Sequence, residues 1–480
     1  MLAGLKMRKQ MLLRTRRDFL KTTAAATAWL AALKGSLLWA APATGVRAWT
    51  TSRDRRFERI EAPQWRAATA NSSGSIQIDP AVRYQTVLGF GAAFTDASCY
   101  WFAKLTSQER QALLSDFFGP AGLRLSVCRT CIGSSDYSTS AYSFDDSHEP
   151  DPDLKKFSIE HDRGYILPTL RAARGVNPDL FLFSSPWSPP GWMKAGGSLL
   201  GGSMRKEYFA SYAEYFVKFL QGYTAEGVKI NAVTIQNEVD TDQNGRMPAA
   251  LWGQEYEIEF VGKFLGPAFE KASLDTKIWV LDHNYALWGR ALDELSDPGV
   301  SKYVDGIAWH GYYGTPDAMT RVHDAFPTKN AYWTEGGPDY TSADYKTDWA
   351  KWSHTFSIIL RNWARCIVGW NLILDEKGAP NIGPFPCGGV VTVDSKTHAV
   401  TQSGQYWAFA HFSKAIRRGA QVIASHGDLH GIDHVAFENP DGGRVLVITN
   451  QGDGQAVECQ VGAQALSLTL DPDSVTTLIW

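Results

Sequence analysis

Between residues 85 and 418, short runs of consecutive apolar residues alternate with longer stretches whose apolar residues recur every three or four positions. The short runs are "TVLGFGAAF" near 90, "LRLSVCR" near 126, "LFLFSSPW" near 183, "AVTIQNE" near 235, "KIWVLDHN" near 280, "DGIAWHGYY" near 308, "NAYWTEGG" near 333 and "CIVGWNLIL" near 370. Between them, segments such as "SQERQALLSDFF" (107–118) and "KEYFASYAEYFVKFLQGYTAEG" (206–227) carry the helical period. Strands that are apolar at nearly every position are buried on both faces. Eight of them in alternation with helices predict an α/β fold, a parallel (β/α)8 TIM barrel over 85–418.

The pattern changes after residue 418. "AQVIAS", "HVAFEN", "RVLVITNQ", "QAVECQVG", "LSLTL" and "VTTLIW" are short β-type runs split by Gly, Asp and Asn turns, and "PDGGR" signals a hairpin. Residues 419–480 therefore predict an appended antiparallel β-sandwich. The β-like stretch "SGSIQID" places an N-terminal strand of that sandwich at 73–84, while the polar, irregular 49–72 reads as a linker. Residues 1–48 resemble a twin-arginine signal peptide. Arg16 and Arg17 stand in "TRRDFLK", an Ala-rich stretch broken by Lys34 follows, and "VRA" (46–48) is a small-residue cleavage site. This predicts export to the periplasm or beyond, with no stable membrane span once the signal is gone.

Charge narrows the list of partners. The whole chain has a formal net charge of −3, and residues 49–480 alone hold 38 basic and 49 acidic residues. No basic run remains to track a phosphate backbone, so nucleic acid is not expected as a partner. The 18 Trp, 18 Tyr and 23 Phe supply flat apolar faces; many serve a core, and some suit sugar rings. Of the six cysteines, Cys128 and Cys131 form a CxxC pair in a strand-like run, where residues three apart face opposite ways. With no second pair to complete a zinc set, they read as buried thiols, and a disulfide stays open.

A TIM barrel places its chemistry at the C-terminal ends of its strands. Those ends hold Asp96, Arg129 to Asp136, Trp187, Asn237–Glu238, Asp282–His283–Asn284, His310 with Tyr312, Glu335, and Trp370–Asn371. No phosphate loop and no G-x-S-x-G elbow is present, and the histidines and acids lack a familiar metal-ligand spacing. No cofactor and no metal is expected. Two glutamates end separate strands, Glu238 after the fourth and Glu335 after the seventh. Each by itself is more often a cap than a catalyst. Together they fit glycosidic hydrolysis, where one carboxylic acid protonates the leaving oxygen and one carboxylate acts on the anomeric carbon. Gly336–Gly337 would let the backbone turn sharply beside Glu335 and leave room for substrate.

The blocks "GFGAAFTDAS", "SPWSPPGWMK", "TIQNE", "WTEGG" and "GWNLILDEKGAPN", in this order over residues 85–420, resemble glycoside hydrolase family 30. The resemblance implies a retaining β-glycosidase with Glu238 as acid/base and Glu335 as nucleophile, their carboxyls ~5 Å apart. It further implies that Arg129 steadies the nucleophile and that Asp136 and Trp187 bind the non-reducing sugar. Asn237 would contact the 2-hydroxyl, His310 and Tyr312 would flank the nucleophile, and Trp370 would stack on the ring. A β-glucoside of the glucosylceramide type is the expected substrate, with β-1,6-glucan or a β-xyloside as alternatives; an inactive glycan-binding barrel is the alternative of a different class. The acid/base motif is "QNEVD", where the lysosomal acid β-glucosidase of the family has Pro after Glu, and "DTDQNGRMPAALWGQ" also differs. The aglycone preference is expected to lie in that loop.

Overall fold

A computed structural model describes residues 45–68 and 74–480; the twin-arginine segment lies outside them, save for its last residues. The chain enters not as a linker but as strands: β1 (Arg47–Ser52), β2 (Arg55–Ile60) and the short β3 (Arg66–Ala67). This corrects the expected linker over 49–72. The reason is exposure: β2 is an edge strand with no buried residue, so "RRFERI" shows no apolar face to read. The expected cleavage point after Ala48 also falls inside β1. Ala48 is fully buried and pairs with Ile60 and Leu478.

β4 (Ser75–Thr86) leads into the barrel. Its eight parallel strands are β5 (Gly89–Phe94), β6 (Val127–Cys131), β7 (Phe181–Ser185), β8 (Ala232–Thr234), β9 (Lys277–Asn284), β10 (Val304–His310), β11 (Asn330–Glu335) and β12 (Ala364–Asp375). Neighbours in sequence pair in space, and β12 closes the ring by pairing with both β11 and β5. A hairpin, β13 (Gly389–Val393) and β14 (Val400–Gln402), extends the sheet beyond β12. Close strand approach explains the glycine at 91, where a Cβ would collide with the Val127 carbonyl oxygen. The helix Ser107–Phe118 opens with a capping box: Thr106 accepts from the Glu109 amide, and Glu109 accepts from the Thr106 amide at 2.8 Å.

The barrel interior is layered. Its lower part is filled by Phe183, Trp279, Tyr332, Val368 and their neighbours, with Trp279 and Tyr332 stacked at 3.9 Å. Packed apolar rings there leave no channel, so polar side chains gather above them at the strand ends.

β15 (Gln421–His426), β16 (Ile432–Glu438), β17 (Arg444–Asn450), β18 (Gln455–Val461), β19 (Gln464–Leu470) and β20 (Ser474–Ile479) join β1–β4 in a ten-stranded sheet. Its pairings are antiparallel except β4 with β18. Both ends of the described chain meet in it, through β1 on β20. The helix Gly404–Ser413 stitches barrel to sheet: buried His411 bonds Thr477 Oγ1 and Thr51 Oγ1, both at 2.8 Å. All six cysteines are free thiols, and five are buried. Cys128 and Cys131 pack into different apolar clusters, as opposite-facing strand positions must. Among the described residues, no helix is long and apolar enough to cross a membrane.

Candidate active site

The site grows upward from one buried carboxylate. β9 carries Leu281 and Asp282 in the left-handed region, at φ 72° and 45°, and the β9–β10 register slips there. This irregularity aims Asp282 into the barrel. Its Oδ2 accepts from Ser185 Oγ (2.8 Å), Thr234 Oγ1 (2.6 Å) and Arg129 Nη2 (2.6 Å). Its Oδ1 bonds His310 Nε2 (3.0 Å) and accepts from Thr334 Oγ1 (2.7 Å). Five strands, β6, β7, β8, β10 and β11, thus converge on this one side chain of β9. Burial alone would raise Asp282, but the Arg129 charge and His310 hold it well below the ordinary carboxylate range.

Arg129 and His310 carry this anchoring to the two glutamates. Arg129, fully buried, donates through Nη1 to Glu335 Oε2 and through Nη2 to Asn237 Oδ1 at 2.8 Å. The bond to Asn237 takes its carbonyl and leaves its NH2 for another acceptor. Glu335 Oε1 accepts from the Tyr312 hydroxyl at 3.1 Å. Glu238 lies in a turn beyond β8, at φ 51°, with its amide on the Asp282 carbonyl (3.0 Å) and its Oε2 on Gln243 Nε2 (2.9 Å). His310 Nδ1 stands 3.4 Å from Glu238 Oε1 and 3.9 Å from Glu335 Oε1. One imidazole nitrogen therefore faces both carboxylates.

Two cations, Arg129 and His310, confront three carboxylates, Asp282, Glu238 and Glu335. One further proton balances them, and a second bare carboxylate charge is repelled. Burial by itself would depress His310; Glu335, Asp282 and Glu238 lift it to about 9. Burial pushes Glu335 up, against His310 and Arg129 and with the Glu238 charge. Burial acts the same way on Glu238, but His310, His283 and Gln243 outweigh it and pull Glu238 down.

Above this cluster is a cavity of about 430 Å³. Asp136, Trp187, Asn237, Glu238, Tyr312, Glu335 and Trp370 all line it. Arg129 and His310 sit just beneath. Trp187 and Trp370 stack at 5.0 Å, and the Arg129 guanidinium lies 4.6 Å from the Trp187 ring. All nine residues singled out in the sequence are therefore brought to one place. Asp136 is buried, burial raises its carboxyl, and its Oδ1 has no hydrogen-bond partner. The glycines after Glu335 have a different role from the one expected. Neither has positive φ; a Cβ on Gly336 would strike the Trp333 indole, and one on Gly337 would come within 2.9 Å of Trp370 Cβ.

Sequence reading gave no role to Asp282 or to the hydroxyls of Ser185, Thr234 and Thr334 that hold it. Gln243 and Met247, in the loop expected to set the aglycone preference, do line the cavity, whereas Phe385 and Cys387, which also line it, were missed. Phe385 and Cys387 come from the loop after β12, where no periodicity marks a position as inward.

Residues 87–416 match the family model of the glycosyl hydrolase family 30 TIM-barrel domain, and residues 419–478 that of the family's β-sandwich domain. The chain is 36% identical to an endo-1,6-beta-D-glucanase of Neurospora crassa, covering 84% of this chain and 88% of that one. It is 30% identical to the lysosomal acid glucosylceramidase of Mus musculus, covering 84% and 82%. Among solved structures, an endo-beta1,6-glucanase superposes with a TM-score of 0.83 at 29% identity, covering 91% of this chain and 99% of that one.

Proposed function

Because the chain belongs to glycosyl hydrolase family 30 and is a β-glycosidase of that family, we propose that it cleaves β-glucosidic bonds with retention, with β-1,6-glucan as its substrate. The observation that carries the mechanism is the joint anchoring of Glu238 and Glu335 by Arg129, His310 and Asp282 in one cavity. Glu335, fixed by Arg129 and Tyr312, attacks the anomeric carbon. The glycosidic C–O bond breaks, and its electron pair takes the proton from Glu238. Water then attacks the glycosyl–Glu335 ester. Glu238 accepts its proton, the hydroxyl oxygen bonds to carbon, and Glu335 leaves as carboxylate.

This requires the proton on Glu238 before attack, and substrate favours that placement. A glycosidic oxygen over Glu238 accepts a hydrogen bond only from its protonated form, and a developing positive charge at the anomeric carbon favours ionised Glu335. The Asn237 NH2 is free for the 2-hydroxyl, and the Trp187–Trp370 pair offers the apolar wall.

The preference for β-1,6-glucan over glucosylceramide, the substrate expected from sequence, rests on the names of the relatives at 36% and 29% identity. A ceramide aglycone is favoured by one feature: Leu200 and Leu251 are exposed on two loops bridged at Leu200–Pro248 and Ser203–Leu251. Purified β-1,6-glucan, glucosylceramide and an aryl β-glucoside, assayed side by side, decide it. Release of glucosyl oligomers from the glucan is expected; turnover confined to glucosylceramide would sink this choice. NMR of the first-formed product reports the anomer, and an inverted anomer removes the covalent step. The twin-arginine segment supports export as part of the same reading, checked by N-terminal sequencing of protein recovered outside the cytoplasm.

A further inference from the structure

Two buried imidazole nitrogens at the acid/base have no hydrogen-bond partner: Nδ1 of His283 and Nδ1 of His310. Both face the same oxygen. His283 Nδ1 lies 3.8 Å and His310 Nδ1 3.4 Å from Glu238 Oε1, and the donor atoms of the three residues all lie within 4.8 Å of one another. Buried polar atoms are nearly always partnered, so two orphans aimed at one point call for an occupant.

We propose that this triad is a binding site for a single divalent transition-metal ion of the zinc type, and that the ion inhibits the enzyme by occupying Glu238. Donors on a tetrahedral zinc ion with ~2.0–2.1 Å bonds stand about 3.3 Å apart, so the observed spacing needs only small side-chain shifts. Two imidazoles and one carboxylate suit zinc, copper or cobalt; magnesium and calcium prefer oxygen donors throughout. The support behind the ligands fits as well. Asp282 Oδ1 holds His310 Nε2 at 3.0 Å, which keeps that nitrogen as the donor and leaves Nδ1, the nitrogen turned toward Glu238, as the one that exchanges its proton for the ion. The fourth position opens into the cavity, where water or a sugar hydroxyl completes the set. An ion there ties up the oxygen that must deliver and recover the proton. The inhibition rests on the proposed role of Glu238; the binding does not.

The test titrates the full chain with Co2+ at about pH 8; the ion must displace the proton from His310, so the apparent affinity should rise with pH. Binding is followed by visible absorption, which reports coordination without any substrate. One equivalent with a tetrahedral-type spectrum is expected. His283→Asn should weaken it at least tenfold, and Mg2+ should not compete. Should that variant not fold, as judged by circular dichroism, Glu238→Gln tests the carboxylate by the same spectrum. On an aryl β-glucoside, Zn2+ should inhibit competitively and a chelator should restore the rate. No binding, binding unchanged by both variants, or a thiolate charge-transfer band placing the ion on Cys387 would each overturn the site. Metal binding by a chain that hydrolyses no β-glucoside would leave the site standing and remove the catalytic reading instead. Hydrolysis with no metal bound would do the converse.

Discussion

Two buried clusters in this barrel have the same ingredients, one arginine and two carboxylates, and different meanings. Inside, Arg129 joins Asp282 and Glu335. Outside the strands, Arg290 joins Glu257 at 2.6 Å and Glu294 at 2.7 Å. Each raises one glutamate: burial and the Glu257 charge push Glu294 well up, much as burial pushes Glu335. Only the inner cluster opens onto the cavity. The outer one has a supporting role, since Glu257 Oε1 accepts the Leu281 amide at 3.1 Å and so steadies the left-handed residues that aim Asp282 inward. A buried, perturbed glutamate is thus no sign of catalysis until it meets a space where substrate fits.

The sharpest way to break this contrast is to neutralise one acid from each cluster. Glu335→Gln should lower kcat on an aryl β-glucoside by about 10⁴-fold or more, as expected for losing a nucleophile, with little change in thermal stability. Glu257→Gln should do the opposite. It should cost about 3 kcal/mol in denaturant unfolding by removing one of the two buried carboxylate partners of Arg290, while folded enzyme keeps most of its kcat. Equal kinetic losses in the two variants would erase the distinction.

Within the inner cluster, Glu238→Gln should act through the leaving group. Substrates with a poor, alkoxide-type leaving group should lose about 10²–10⁴-fold, and an activated aryl glucoside should lose far less in the first step. Uniform loss across leaving groups would deny Glu238 the role of acid.

A third buried polar group tests the structural side. His411 is enclosed between barrel and sheet, and burial depresses it to about 3 from an ordinary value near 6.5. A neutral imidazole in the folded state and a protonating one in the unfolded state give stability that is complete above pH 6.5. It falls as pH drops from 6.5 toward 3, by at most about 1.4 kcal/mol per pH unit. His411→Gln should flatten that part of a melting-temperature profile; an unchanged slope would acquit His411.

The smallest effect is expected at Lys194. Its buried ammonium donates to Ser188 Oγ (2.8 Å), Leu199 O (2.9 Å) and Ala249 O (2.7 Å), and burial lowers it to about 7. It joins the loop after β7 to the loop beside Glu238. Lys194→Met should cost about 1–3 kcal/mol of local stability. KM for an extended glucan should rise and KM for an aryl glucoside should hardly move; a rise in both would place the effect on the reacting sugar.

By itself the sequence determined the barrel, the sheet that follows it, and the nine residues at the mouth. Those features are local: apolar period marks strand and helix, and the strand-end rule then names the residues that can reach the mouth. The five motif blocks narrowed the chemistry further. Tertiary structure decided the rest. The strands at 47–60 were hidden because β2 is an exposed edge and β1 buries polar Thr50, Thr51 and Ser52 in place of an apolar face. Asp282 became the hub only when five strands brought their hydroxyls, imidazole and guanidinium to it, contacts up to 153 residues apart that no window contains. Gly336 and Gly337, expected to turn the backbone sharply and leave room for substrate, instead give clearance to Trp333 in the same segment and to Trp370 from β12. The placement of the shared proton depends on Arg129, His310 and Glu238 acting together across a few ångströms. Interactions of that range are set by space, because charge and burial act through distance and not through order along the chain.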